Sequence, residues 1–178
     1  MKNTLRFSLC ALCATLVALP LALTHAEPPA QPQAVPFSVL ALAGYAPLKG
    51  EGVVVTLRDR RLKSKTKSDN FVFPGLVHDF DLLSVVNELR AAGAKGIAVN
   101  GIRLTNQTAI RALGPTIKIG SQTTCAPFKI EAVGVAGLLE AALKMKGGLL
   151  DSMRSSGPQT QVSRASQISL AAAPLPRQ

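Results

Sequence analysis

The sequence predicts an α+β fold, a ferredoxin-like sandwich in which two helices cover one face of a mainly antiparallel mixed sheet. Three observations point there. Residues 52–59, GVVVTLRD, are β-branched and almost continuously apolar, as a strand covered on both faces would be. Two later segments, around 82–89 and 137–145, repeat apolar residues at helical spacing. Short apolar runs between and after them complete the order β, α, β, β, β, α, β, which places both helices on one side of one sheet.

In chain order, the first 26 residues carry Lys2 and Arg6, an apolar run over 7–23 broken by Pro20, and the small residue Ala26. This is the layout of a secretory signal peptide over 1–26, so the chain is expected to be exported, to the periplasm or beyond the cell. An apolar run of this length is also the lower end of a membrane span, which makes an uncleaved anchor the alternative. Residues 27–48 read as a Pro/Ala-rich linker that buries little, with a short apolar docking segment from Phe37. A single α+β domain is expected over 49–172 and a loose tail over 173–178.

Within that domain the strand at 52–59 is central, and a long polar connection over 60–76 follows it. Connections of that length are uncommon unless they carry a function or move. Arg58, Arg60, Arg61, Lys63, Lys65 and Lys67 stand there against one acid, Asp59, and Phe71 and Phe73 are expected to fold back onto the body. Asp79 or Asp81 then caps a helix whose Leu82, Leu83, Val85, Val86 and Leu89 mark one face and which Gly93 stops. Residues 97–99 form a short strand, and Asn100-Gly101 is either a tight hairpin turn or a bulge before 102–104. Residues 109–119 and 128–133 read as two further strands across a Ser/Thr-rich turn. A second helix over 137–145 turns Leu138, Leu139, Ala142 and Leu143 inward and ends at Gly147-Gly148, with one more turn over 149–153. A last strand spans 161–170.

The stretch 81–117, DLLSVVNELRAAGAKGIAVNGIRLTNQTAIRALGPTI, with the LRD ending of the first strand and a later PF.I.A.G element, resembles the YlxW/YlxX-like bacterial envelope family of unknown function. The likeness covers about 49–172. It implies an envelope protein of a family often encoded near cell-division genes, without an established reaction, and it singles out Asn87, Asn100, Arg103, Asn106, Arg111 and Thr116. Members of that family place a membrane helix and a coiled coil ahead of the globular part, where this chain has a short linker. They often carry Cys-Ala before GPT, where this chain has Ala112-Leu113. Arg103 and Arg111 flank the turn at 105–108, so antiparallel pairing could set two guanidinium groups beside Asn100 and Asn106 as a patch for a carboxylate or phosphate group. The alternative is that the asparagines serve turn geometry while the arginines pair with Glu88 or Glu131.

Composition narrows the chemistry. Twenty bases face 10 acids, a net charge of +10, and loss of 1–26 would leave 18 bases and +8. In an exported protein the basic run meets anionic lipid headgroups or acidic wall polymers; the alternative is a solvated loop with no specific partner. Nucleic-acid binding would need a cytoplasmic location and interleaved aromatics, which the run lacks. Beyond residue 26 one Cys, Cys125, and one His, His78, remain, too few for an internal disulfide or a His/Cys metal cage. No metal or cofactor is expected, and Cys125 is expected to be buried or half-buried. His78 would have to be the base of any triad, yet no GxSxG elbow accompanies it. Asp79 and Asp81, two apart, cannot share a helix face and suit capping better than acid/base work. The resulting expectation is a non-enzymatic interaction or scaffolding domain at the envelope, its partner an envelope protein or an anionic wall or lipid component, with association at the membrane surface. The rival is a small-ligand or wall-polymer binding protein with weak hydrolytic capability through His78, Asp79 or Asp81.

Overall fold

The computed structural model describes residues 35–60 and 75–175. The expected signal peptide, Arg61, Lys63, Lys65, Lys67, Phe71, Phe73 and residues 176–178 lie outside the described residues.

The described residues form an α+β body with four helices and two antiparallel sheets. In order these are α1 (Phe37–Ala43), β1 (Leu48–Arg58), α2 (Asp79–Ala91), β2 (Gly96–Val99), β3 (Ile102–Arg103), β4 (Ile110–Leu113), β5 (Thr116–Ile119), β6 (Gln122–Thr124), β7 (Phe128–Val133), α3 (Ala136–Leu143), α4 (Leu149–Ser156) and β8 (Gln159–Leu170). The larger sheet runs β3-β2-β7-β1-β8 and the smaller β4-β5-β6. All pairs are antiparallel.

Alternation along the strands explains the layering. Val53, Val55 and Leu57 of β1, Ile97 and Val99 of β2, and Phe128, Ile130 and Ala132 of β7 share one face. They pack there with Leu82, Val85, Val86 and Leu89 of α2, Leu139 and Leu143 of α3, and Leu150 and Met153 of α4. Each fully buried leucine contributes about 1.5–3 kcal/mol. The opposite face carries a smaller cluster of Ala98, Val133, Ile168 and Leu170, with Leu48 and Val54 against it. β1 is therefore central, with apolar contacts on both sides. A register shift between Gly50 and Gly52 lets β1 follow β8. A Cβ on Gly52 would stand 1.9 Å from the Ala132 carbonyl oxygen, so no other residue fits there without moving the backbone.

Several local readings need correcting. The run at 109–119 is two strands, because Gly114-Pro115 turns the chain between the paired residues Leu113 and Thr116. Gly120-Ser121 does the same between Ile119 and Gln122, so the Ser/Thr-rich turn contains a third strand. Gly114 and Gly120 have φ of 60° and 59°, as the first position of such two-residue hairpin loops requires. The docking segment is a helix, the 149–153 turn grows into α4, and Cys125 is exposed rather than buried. Leu83 and Leu138 turn outward, 38% and 61% exposed. Among the described residues no helix is long and apolar enough to cross a membrane.

The adjacent leucines of α3 separate packing from composition. Leu139→Ala, at a fully buried position, is expected to lose about 2–5 kcal/mol, and Leu138→Ala to stay within about 0.5 kcal/mol, both measured by urea unfolding.

Candidate functional site

β3 pairs with β2 so that Arg103 lies opposite Ala98, on the sheet face away from α2 and α3. Its side chain is buried, with 4% exposed. Nη2 donates to the Ala41 carbonyl in the last turn of α1 at 2.6 Å, and Nη1 to the Ala171 carbonyl just beyond β8 at 3.4 Å. Nε is buried, with no partner among the described residues. Gly96 makes room, since a Cβ there would stand 2.7 Å from Nη2. Burial depresses the guanidinium pKa below the ordinary arginine value.

A cavity of about 180 Å³ adjoins this residue, lined by Arg103, Tyr45, Thr105, Gln107, Thr108, Ser121, Gln122 and the apolar Ile102, Ile119, Ala173 and Pro174. The turn after β3 is self-bonded. Thr105 N–H donates to Thr108 Oγ1 at 2.9 Å, Gln107 N–H to Thr105 Oγ1 at 3.2 Å, and the two threonine hydroxyls lie 3.0 Å apart. Such Ser/Thr side-chain-to-backbone bonds shape short loops. The spacing of Thr105 and Thr108 in LTNQT is the one sequence signal for this wall; Tyr45, Gln107, Ser121 and Gln122 carried none.

The other residues singled out from the sequence are dispersed. Arg111 is exposed on β4, opposite Lys118, in the smaller sheet, whereas Arg103 belongs to the larger one. Among the described residues neither arginine forms an ion pair with Glu88 or Glu131; Glu131 pairs with Lys129 at 2.7 Å. Asn100, at φ 48°, accepts from Lys129 N–H at 2.7 Å and donates to Thr124 Oγ1 at 2.8 Å and the Pro127 carbonyl at 3.3 Å. It locks the β2–β3 turn to the segment entering β7. Thr116 Oγ1 donates to the Leu113 carbonyl at 2.8 Å and closes the β4–β5 turn. Asn87 and Asn106 are exposed, on α2 and in the loop after β3.

The acid/base candidates sit together at the start of α2. Asp81 accepts from the His78 main-chain N–H at 2.8 Å, and His78 stacks on Phe80 with ring centroids 5.2 Å apart. Asp79 accepts from Phe80 N–H at 3.0 Å and from Ala112 N–H at 2.9 Å, joining α2 to β4. Burial raises the Asp81 pKa, opposed by the His78 N–H and by the His78 charge. At the far end of β1, Arg58 and Arg60 are exposed. Arg60 N–H donates to the Gly75 carbonyl at 2.7 Å and Val77 N–H to Asp59 Oδ1 at 2.8 Å, clamping the two described ends of the basic connection. Among the described residues no group of three His, Cys, Asp or Glu side chains is placed to hold a metal.

Fold and site together define a small antiparallel α+β domain with a buried guanidinium on the face of its larger sheet away from α2 and α3. The chain belongs to the family described as "Bacterial protein of unknown function (DUF881)", whose model matches residues 38–177. It is similar to the UPF0749 protein YlxW of Bacillus subtilis, 36% identical over 62% of this chain and 46% of that protein. It is also similar to the UPF0749 protein Rv1825 of Mycobacterium tuberculosis, 27% identical over 77% of this chain and 44% of that protein. The chain thus spans under half the length of these curated relatives. A crystal structure of an uncharacterized conserved protein from Mycobacterium tuberculosis superposes with a TM-score of 0.66 at 26% identity, covering 79% of this chain and 92% of that one.

Asn100→Ala removes three hydrogen bonds and strains a left-handed position, so it is expected to cost about 2–4 kcal/mol in chemical denaturation. Asn100→Gly restores about 1 kcal/mol by relieving the backbone. Because folding raises the Asp81 pKa, the group's contribution to stability is full below the unfolded aspartate range and is lost as pH rises through the folded value. Asp81→Asn keeps an oxygen for the His78 N–H but abolishes this dependence. The stability of the wild type relative to the variant is expected to fall as pH rises from below the ordinary aspartate range in parallel urea titrations.

Proposed function

We propose that this chain is an exported, non-enzymatic interaction domain of the bacterial envelope, division-associated as the family resemblance implies, that presents a basic surface to an anionic wall or lipid component. The observation carrying this reading is the exposed placement of the first two bases of the basic run, Arg58 and Arg60. Arg58 ends β1 exposed, Arg60 is exposed beside it, and the single acid of the run, Asp59, is tied to the Val77 amide. Six bases within the ten residues 58–67 then begin at one edge of the body. Near an anionic membrane each such base contributes about 1 kcal/mol. The strand order β2-β7-β1-β8, with α2 and α3 as connections on one face, supports a ferredoxin-like core for this domain. Asp81 is bonded to the His78 main chain and Asp79 to the Phe80 and Ala112 amides, so both carboxylates serve main-chain contacts, which favours contact over conversion.

A second reading, a small-ligand or wall-polymer binding protein with weak hydrolytic capability, draws support from the cavity beside Arg103, although His78, Asp79 and Asp81 are not among its lining residues.

Co-sedimentation of the full chain with vesicles of phosphatidylglycerol and of phosphatidylcholine tests the first reading. The excess binding to anionic vesicles is expected to fall at least about tenfold when Arg58, Arg60, Arg61, Lys63, Lys65 and Lys67 are all replaced by Gln, and to weaken with salt. Equal binding by wild type and variant would count against it.

A further inference from the structure

Arg103 is a positive charge taken out of water with no negative charge among the described residues to meet it. A guanidinium offers five N–H donors in a rigid fork. Here one bond is short, to the Ala41 carbonyl, and one is at the 3.4 Å margin, to the Ala171 carbonyl, while Nε is sealed with no partner among the described residues. Among the described residues no carboxylate forms an ion pair with it. Proteins seldom bury an arginine so, because a buried charge is costly unless paired and fully hydrogen-bonded.

The same residue borders the 180 Å³ cavity, whose lining includes the polar residues Tyr45, Ser121 and Gln122 and the self-bonded Thr105 and Thr108. Drug-sized pockets run from about 300 Å³ upward, and a water occupies about 30 Å³ of liquid. The space therefore suits a compact group rather than a polymer segment. We propose that the cavity is a binding site for a compact carboxylate, held by the Arg103 guanidinium and these neutral hydrogen-bonding groups. One arginine balances one negative charge, and the two oxygens of a carboxylate match two neighbouring guanidinium N–H groups. A phosphate dianion would leave one of its charges unmatched by this single guanidinium.

The wall that must yield is the segment after β8. Ala171 makes the long bond to Nη1, Ala173 and Pro174 line the cavity, and Ala173 N–H donates to the Gly44 carbonyl at 2.8 Å. A ligand oxygen takes the place of the Ala171 carbonyl as this segment shifts. The site deepens the ligand-binding reading and is independent of the basic run, so failure of the vesicle experiment leaves it untouched.

The test is a titration of the ¹⁵N-labelled full chain with acetate, phosphate and chloride at matched ionic strength, following the Arg103 Nε–H signal and the Thr105 and Thr108 amides by NMR. Saturable shifts with acetate, and none with chloride, are expected. Gln122→Trp, which narrows the cavity from an exposed position, is expected to weaken acetate at least tenfold, and Arg103→Met to abolish the response. Should Arg103→Met fail to fold, the Gln122→Trp titration decides. A short peptide with a free C-terminal carboxylate, compared with its amide, separates a chain end from a free small acid as the source. Shifts that are equal for acetate and chloride, that saturate with phosphate alone, or that survive Gln122→Trp undiminished would overturn the proposal.

Discussion

A guanidinium bonded to main-chain carbonyls fastens together three parts of the chain that are remote in sequence. Arg103 reaches Ala41 and Ala171, 62 and 68 positions away. α1 has seven residues, of which Ala41 is buried, and a helix so short does not persist on its own. The Arg103 bond at its last turn, where the carbonyls carry partial negative charge, is one of the contacts that fix its place on the body. The segment after β8 depends on the same side chain and on Gly44, the residue that ends α1. That side chain adds to the buried Ala41 and Ala46 and to the Ala173–Gly44 bond on the second face of the sheet, while the helix-covered face has its own apolar core.

The larger apolar elements were legible in the residues because burial there is periodic. β1, α2, β7, α3 and β8 each repeat apolar residues at the spacing of their geometry, and their contacts follow. The smaller sheet was obscured by its content: 109–119 is rich in strand-forming residues on both sides of Gly114-Pro115, so a turn of two residues was absorbed into one long run. Leu138 and Leu139 differ by a rotation of about 100° on a helix, and an all-apolar segment does not say which of the two faces inward.

The candidate site was legible in part, and the missing part has a physical cause. Arg103 stands between Ile102 and Leu104, where alternation along a strand would place it outside. Its acceptors are carbonyls of two alanines, and a main-chain carbonyl leaves no trace in residue identity. Asn100-Gly101 announced a turn, yet the grip of Asn100 on Thr124 and Lys129 depends on where β6 and β7 arrive. The cavity lining comes from four separated stretches of chain, each made of ordinary hydroxyl and amide residues. Electrostatics divides in a similar way. Glu140 is held below the usual carboxylate range by hydrogen bonds from Lys144 and then Arg164, and Lys129 faces Glu131, so these acids are matched locally while the bases at the end of β1 are left in excess.

The pairing of β1 with β8 has a mechanical consequence. Leu48, where β1 begins, lies opposite Leu170, where β8 finishes, so the chain enters and leaves the sheet side by side. Tension applied between these ends opens the ladder one rung at a time, like a zipper, instead of loading all its rungs in shear. A body threaded in this manner yields to modest force along that axis, and the latch at Arg103, fixed to both α1 and the residue following β8, stands ahead of the first rung.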